Sequence, residues 1–157
     1  MPRIIIELHI EAPIAIVFDL ARSIDLHKIS TSHTNEQAIS GKTSGLINLH
    51  EQVTWKAKHF GIYQRLSSKI TALKKPYFFV DEMVAGAFHS FKHEHHFKTL
   101  ENGTVMTDIF VYKAPLGFLG SLANILFLKK YMTQLLTRRN MVIKNFAETE
   151  QWKSVLK

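Results

Sequence analysis

The chain of 157 residues contains no cysteine. Disulfide bonds, thiolate metal ligands and cysteine nucleophiles are therefore excluded. The sequence also lacks internal repeats, low-complexity stretches and linker-like segments, so residues 1–157 are expected to form one domain. With 46% hydrophobic and 21% charged residues, the composition is typical of a globular protein rather than a disordered one. Any chemistry has to come from histidine, carboxylate or tyrosine side chains.

The residue pattern predicts neither a secretory signal nor a membrane-spanning segment. The first twenty residues include the charged or polar side chains Glu7, His9, Glu11 and Asp19, which rules out the uncharged core of a secretory signal. The most apolar run, residues 114–128, is shorter than the roughly 18 residues of a spanning helix. Pro115, Gly117 and Gly120 also interrupt it. The sequence predicts a cytoplasmic protein without a transmembrane segment.

Basic residues outnumber acidic ones, 20 to 13, for a formal net charge of +7. A nucleic-acid site usually interleaves basic and aromatic residues on one surface, whereas the basic residues here are scattered. Nucleic acid is therefore not an expected partner. The largest basic cluster is interpreted as the solvent-facing side of a helix and comprises Lys129, Lys130, Arg138, Arg139 and Lys144. Peripheral contact of this face with an acidic partner or a membrane surface stays open, and nothing in the pattern indicates an oligomeric state.

Hydrophobic periodicity predicts a strand, two short helices and then a strand meander. Residues 3–10 alternate as a strand, Pro13 opens a short amphipathic helix, and Ser23 caps a second one that runs to about Ile29. Further strands are predicted near residues 36–40, 49–60, 62–73, 76–84, 87–99 and 104–113. A long helix is predicted from Leu119 to about Glu150. This order favours an α+β fold in which a curved antiparallel sheet is covered by the C-terminal helix.

Two hairpin turns predict which side chains of the sheet share a face. A two-residue turn at Ala85-Gly86 and a second hairpin at residues 100–103 set the expected register. The predicted opposite pairs are Glu82–His89, Val80–Phe91 and Phe78–His93 across the first turn, and Phe97–Met106, His95–Asp108, His93–Phe110 and Phe91–Tyr112 across the second. Leu66 and Ile70 join this face, while the polar residues that alternate with it, such as Lys92 and His96, face water. Polar groups buried on the inner face need partners, because each one left unpaired costs about 1–3 kcal/mol.

An ordered set of residues is shared with a known superfamily. The set consists of Phe60-Gly61-Ile62, Ile70, Pro76, Phe79-Val80-Asp81-Glu82, Gly86, Phe88, His93-Glu94-His95, Phe97, Gly103-Thr104, Asp108, Tyr112, Pro115-Leu116-Gly117, Gly120 and Arg139. On these residues the chain resembles the START-like, helix-grip superfamily, also called SRPBCC, and is most similar to a bacterial subgroup of unassigned function. The resemblance implies a seven-stranded antiparallel sheet that grips the C-terminal helix around a cavity for an apolar or amphipathic ligand. The superfamily includes lipid carriers, plant hormone receptors, polyketide cyclases and Rieske oxygenase subunits, so the fold does not fix the function.

The chain departs from this subgroup at three positions. Leu66 and Phe91 stand where tryptophan is often found, and Ala87 stands where proline is often found. Smaller side chains at the two tryptophan positions would reshape or enlarge the cavity, so no particular ligand is transferred from the resemblance.

The polar residues of the predicted inner face allow two interpretations each. His93 and His95 could chelate a metal with Asp108 as a third ligand, but hydrogen-bonded cavity residues are the favoured interpretation, and neither a metal nor a cofactor is predicted. His95 and Asp108 could serve as a base and its orienting partner, with Tyr112 polarising an oxygen; a structural pair is favoured. Arg139 could bind an acidic ligand head, although pairing with a sheet carboxylate is favoured. Serine in a nucleophile elbow and a glycine-rich phosphate loop are both absent.

Three functions follow from these patterns. The first is a module that carries, senses or sequesters a hydrophobic small molecule such as a lipid, polyketide or isoprenoid-like compound. The second is a cyclase, dehydratase or isomerase using His95 and Asp108, and the third is a protein-interaction domain using the basic helix face. The predicted ligand-binding residues are Leu66, Phe78, Val80, Phe91, His93, His95, Phe97, Met106, Asp108, Phe110, Tyr112, Met132 and Arg139.

Overall fold

The computed structural model describes residues 1–115 and 122–156, with the backbone alone described at 122–124. Its centre is a seven-stranded antiparallel sheet with the strand order β1-β7-β6-β5-β4-β3-β2. The strands are β1 (Arg3–Ile10), β2 (Gln37–Gly41), β3 (Gln52–His59), β4 (Ile62–Lys74), β5 (Phe78–Gly86), β6 (Ser90–Leu100) and β7 (Gly103–Lys113). Only β1 is out of sequence order, because it returns to pair with β7. The α+β class and the seven-stranded sheet are confirmed.

Four α-helices accompany the sheet within the described residues. They are α1 (Ile14–Ala21), α2 (Ile24–Ser30), α3 (Leu122–Ala147) and α4 (Trp152–Val155), and a 3-10 turn (Ser32–Thr34) follows α2. The long predicted helix is confirmed as α3, whereas its predicted start at Leu119 and the turn at Gly117 and Gly120 lie outside the described residues. None of the helices in the described ranges is both long and apolar enough to cross a membrane.

Local sequence signals explain where the short helices and the first hairpin form. Pro13 precedes α1, where its missing N–H costs nothing, and the Ser23 hydroxyl accepts a hydrogen bond from the Leu26 N–H at 3.1 Å to cap α2. The β3–β4 hairpin turns through Phe60 and Gly61, which both have positive φ angles of 54° and 77°. Two consecutive positive φ angles are typical of the tight turns that match the twist of a hairpin.

The two predicted registers have different outcomes. The β6–β7 register is confirmed at all four predicted pairs, including His95 opposite Asp108. The β5–β6 register is wrong, because Val80 lies opposite Glu94 rather than Phe91, and Glu82 lies opposite Lys92 rather than His89. Residues 83–86 pair with β4 instead of folding back on β6, and residues 87–89 form the connection.

The register error has a consequence for the face of β5. A shift by three residues is odd, and an odd shift exchanges the two faces of a strand. Phe79 and Asp81 therefore face the helix side, while Phe78 and Val80 face the other side, where the Phe78 ring lies 6.0 Å from His96. The prediction that Phe78 and Val80 belong to the inner face was wrong.

The buried apolar residues form two clusters between the sheet and the helices. The first packs α1, α2 and the end of α3 against the sheet and is centred on Phe18, whose ring meets those of Phe79 and Phe97 edge-on at 5.6 and 5.3 Å. The second packs the middle of α3 against β6 and β7, where Phe91 and Phe110 contact each other at 5.4 Å. A cavity lies against the second cluster.

Candidate functional site

A cavity of about 210 Å³ lies between the sheet and α3. Apolar side chains form most of its wall: Trp55, Ala57, Phe60, Leu66, Phe88, Phe91, Phe110, Leu128, Met132, Leu135 and Leu136. Polar side chains also line it: His27, Thr31, Glu36, His59, Gln64, Ser68, Asp81, His93, Tyr131 and Arg139. A smaller cavity of about 110 Å³ lies under α1 and α2 and shares Asp81, His93, Leu136 and Arg139 with the first. The shared residues place the two spaces next to each other.

The residues predicted to bind a ligand fall into three groups. The large cavity is lined by Leu66, Phe91, His93, Phe110, Met132 and Arg139, and the small one by His93, His95 and Arg139. Four others are buried without lining either cavity: Phe97, Met106, Asp108 and Tyr112. Phe78 and Val80 lie on the opposite face of the sheet, because the observed β5–β6 register differs from the predicted one by three residues. Seven of the thirteen predicted residues therefore line a cavity, and the other six lie in the core or on the opposite face.

Four titratable side chains form a buried cluster beside both cavities. His95 lies between two carboxylates, with its Nε2 2.8 Å from Asp81 Oδ2 and its Nδ1 3.0 Å from Asp108 Oδ1. His93 lies against His95 with 3.8 Å between ring centroids. Its Nδ1 is 4.0 Å from Asp81 Oδ2 and its Nε2 is 3.5 Å from Asp108 Oδ1. Both histidines thus extend from one carboxylate to the other.

Asp108 also joins the sheet to α3. Its Oδ2 accepts a hydrogen bond from the Asn140 side-chain amide at 2.5 Å, and Arg139 Nη1 lies 3.8 Å from the same oxygen. Arg139 donates hydrogen bonds from Nη1 to Asn140 Oδ1 at 3.1 Å and from Nη2 to the Ala21 carbonyl at 2.8 Å. Arg139 therefore pairs with a sheet carboxylate, which is the interpretation the sequence favoured, and it still borders both cavities.

The pKa values of the cluster follow from burial opposed by charge. Burial alone would raise the pKa of Asp108, but the polar contacts and positive charge of His93 and His95 hold it well below its usual range. Burial would lower the pKa of His95, yet the flanking Asp108 and Asp81 raise it above its usual value. Burial and then the neighbouring charge of His95 lower the pKa of His93. The arrangement favours a cationic His95 between two carboxylates, next to a neutral His93.

Tyr112 does not take the position that an oxygen-polarising group would need. Its side chain is fully buried among Phe88 and Phe110, and its hydroxyl has no hydrogen-bond partner among the described residues. Burial raises the pKa of this hydroxyl. Tyr112 lines neither cavity, so the catalytic role that the sequence left open for it, and did not favour, has no geometric support.

A second polar group on the cavity wall was missed by the sequence analysis. His27 Nε2 lies 2.7 Å from Glu36 Oε1, and the His27 ring packs against Trp55 with 4.2 Å between ring centroids and a tilt of 33°. Farther along the wall, His59 Nδ1 lies 2.5 Å from the Tyr131 hydroxyl. Glu36 begins the strand predicted near residues 36–40 but directly precedes β2 in the structure, and its polar character did not mark it as inward-facing. Only the packing of α2 against β2 and β3 brings Glu36 to the cavity.

Comparison with known proteins identifies the fold. No protein-family profile and no curated sequence matches the chain. Among solved structures, a protein from Thermus thermophilus matches with a TM-score of 0.76 at 16% identity, over 99% of this chain and 100% of that one. The di-domain ARO/CYC StfQ from the steffimycin biosynthetic pathway matches with a TM-score of 0.73 at 13% identity, over 93% of this chain and 50% of the StfQ chain. A START superfamily protein from Mycobacterium smegmatis matches with a TM-score of 0.71 at 9% identity, over 93% of this chain and 97% of that one. These likenesses confirm the START-like helix-grip fold.

Proposed function

Starting from a START-like helix-grip fold, we propose that this protein binds a hydrophobic or amphipathic small molecule in the cavity between the sheet and α3. The observation that carries the proposal is the cavity itself, because aromatic and aliphatic side chains form most of a wall that encloses about 210 Å³. Such a space has the character of a small-molecule site, with apolar walls and a small number of polar groups that fix orientation. The protein acts as a carrier, sensor or sequestering protein for this molecule.

The wall chemistry indicates the kind of molecule. Phe91, Phe110 and Met132 would cover an apolar ring system or chain, and burial of such surface contributes about 25 cal/mol per Å². Asp81 and Arg139 lie on the same wall and offer an acceptor and a cationic donor. A lipid, polyketide or isoprenoid-like compound with at least one polar group satisfies both requirements.

The other two functions expected from the sequence receive less support. Both ring nitrogens of His95 face carboxylates, so His95 is poorly placed to take a proton from a ligand in the large cavity. The basic face of α3 is also smaller than its residues suggested: Arg139 is buried, and Lys144 is engaged by Glu148 at 2.6 Å. Ligand binding remains the function with the most direct geometric basis.

Filling the cavity tests the proposal. Leu136 is buried and borders both cavities, so Leu136→Trp should occupy the space without altering a charged group. We expect protein purified without a tag to release a bound apolar molecule on denaturing extraction with mass spectrometry. It should also bind 8-anilinonaphthalene-1-sulfonate, and Leu136→Trp should abolish both.

A matched control lies on the same helix. Met141 is 42% exposed, so Met141→Trp adds the same side chain outside the cavity and should leave binding unchanged. Met132→Trp serves as a second cavity-filling variant if Leu136→Trp does not fold. The proposal is overturned if the unaltered protein binds neither an extractable molecule nor the dye, or if both cavity-filling variants bind as the unaltered protein does.

A further inference from the structure

Three potential metal-ligand atoms converge where the two cavities meet. Asp81, His93 and His95 each offer one such atom within 4.8 Å of the others, and the nearest contacts join Asp81 Oδ2 to His95 Nε2 and to His93 Nδ1. His93 and His95 are two residues apart on β6 and share its inner face, and Asp81 lies directly opposite His93 on β5. We propose that these three residues bind a divalent transition-metal ion, with zinc or ferrous iron as the class that two imidazoles and one carboxylate suit.

The distances between these atoms are close to those of a coordination sphere. Ligand atoms 2.0–2.1 Å from zinc are about 2.8–3.4 Å apart in octahedral or tetrahedral geometry. The Asp81 oxygen is 2.8 Å from the His95 nitrogen, which fits this range, and 4.0 Å from the His93 nitrogen, which exceeds it. Small rotations of the two rings would bring all three atoms onto one ion.

The opposite edges of both rings supply an independent observation. His93 Nε2 and His95 Nδ1 both face Asp108 Oδ1, at 3.5 and 3.0 Å, and none of these three buried atoms has a partner of hydrogen-bond geometry among the described residues. Metal-binding histidines usually donate their second N–H to a carboxylate, which fixes the ring and its tautomer. Rings rotated onto an ion would direct both N–H groups at Asp108.

The contacts of Asp108 orient one of its oxygens toward the two histidines. Asn140 and Arg139 contact its other oxygen, Oδ2, which leaves Oδ1 for the two histidines. In such an arrangement His93 and His95 bind the ion as neutral imidazoles, and the carboxylates of Asp81 and Asp108 balance its charge.

The remaining coordination positions open toward the ligand. Asp81 and His93 line both cavities, and His95 lines the smaller one. Three protein ligands leave at least one position free, which is the pattern of metal sites that bind a further molecule rather than purely structural sites. An oxygen of the bound small molecule would occupy that position, so this step, unlike the metal site itself, depends on the proposed function.

A zinc titration of tag-free, chelator-treated protein tests the site. Isothermal titration with zinc chloride should show one ion per chain. The affinity for zinc should be lower in His93→Ala by more than roughly 10- to 100-fold, the loss typical when a carboxylate that only supports a metal-binding histidine is removed. The matched control is His96→Ala, because His96 is on the same strand, faces the other side and has 43% of its side chain exposed. His96→Ala should bind zinc as the unaltered protein does.

A second variant and a second signal keep the test independent of folding. Asp81→Asn keeps the size of the side chain and should also lose zinc affinity, while the absorption spectrum of bound cobalt should report nitrogen and oxygen ligands in the unaltered protein. The proposal is overturned if zinc binds equally to the unaltered protein, His93→Ala and Asp81→Asn, or if it does not bind. Leu128→Trp fills the large cavity from a residue that does not line the small one, so it should lose dye binding and still bind zinc. Loss of the small-molecule site and loss of the metal site can then be told apart.

Discussion

Asp108 is the side chain on which the most contacts of the site depend. It is 1% exposed and meets His93 and His95 from β6 as well as Arg139 and Asn140 from α3. A buried charge of this kind is tolerated only when it is surrounded by donors and opposite charges. Because the donors come from two elements, Asp108 links the position of α3 to the sheet beneath it.

The amide variant of this residue gives a prediction at the residue scale. Asp108→Asn keeps the shape but removes the negative charge that Arg139 and His95 face, and breaking a buried pair in this way costs about 3–5 kcal/mol. We expect the free energy of unfolding to fall by about that amount in urea denaturation followed by circular dichroism. Glu101→Gln, in an exposed turn, is the control and should change the free energy by less than about 0.5 kcal/mol. If Asp108→Asn lowers the free energy of unfolding by no more than Glu101→Gln does, the buried network around Asp108 does not stabilise the fold.

At the scale of elements, β6 carries the site because its alternation is regular. Phe91, His93, His95 and Phe97 are all buried, and the residues between them are more exposed. The hairpin to β7 follows directly, so its register could be read from the sequence. The register of β5 on β6 could not, since β5 runs to Gly86 and residues 87–89 form a longer connection than the predicted two-residue turn.

Glycines at two hairpin turns give a prediction at this scale. Gly103 begins β7 with φ +147°, and a Cβ there would lie 2.2 Å from the Ile10 carbonyl oxygen of β1. Gly61 has φ +77°, but a Cβ there would meet nothing within 4 Å. Gly61→Ala should cost only the strain of a left-handed residue, about 1–2 kcal/mol, while Gly103→Ala should cost more because β1 has to move away from β7. Thermal and urea unfolding of both variants provide the comparison, and equal losses would rule out the steric part of this explanation.

At the scale of the whole molecule, the two apolar clusters have different roles. The cluster around Phe18 closes the sheet under α1, α2 and the end of α3, and some of its residues, such as Ile47 and Phe79, line the smaller cavity. The cluster around Phe91 and Phe110 supports α3 where the larger cavity separates helix from sheet. The larger space for a ligand therefore lies against the second cluster, while the first holds the packed rings of Phe18, Phe79 and Phe97.

This division predicts how the molecule unfolds. Phe18 is 1% exposed and stacks edge-on with two other rings, so Phe18→Ala should lower the free energy of unfolding by about 3–5 kcal/mol. Tryptophan fluorescence, from Trp55 in the sheet and Trp152 in α4, and far-ultraviolet circular dichroism should give coincident transitions. Leu126→Ala, at a position 59% exposed, is the control and should have little effect. Separate transitions for the two signals would show that the ends of the molecule unfold independently.

The sequence by itself determined the α+β class, the order of the elements, and the grouping of His93, His95 and Asp108. These features depend on alternation along a strand and on short turns, which are local and therefore visible in a linear pattern. Ser23 as the cap of α2 was identifiable for the same reason, because capping involves neighbours three residues apart.

Only the tertiary structure decided which residues complete the site. Asp81 faces inward because the longer β5–β6 connection moves the register by an odd number of residues, and Glu36 reaches the cavity from just before the start of β2. Asn140 meets Asp108 across 32 positions of the chain, and Tyr112 is enclosed by rings from other segments. Contacts of this kind depend on how whole elements pack, and packing is set by the sum of many distant side chains rather than by any local pattern.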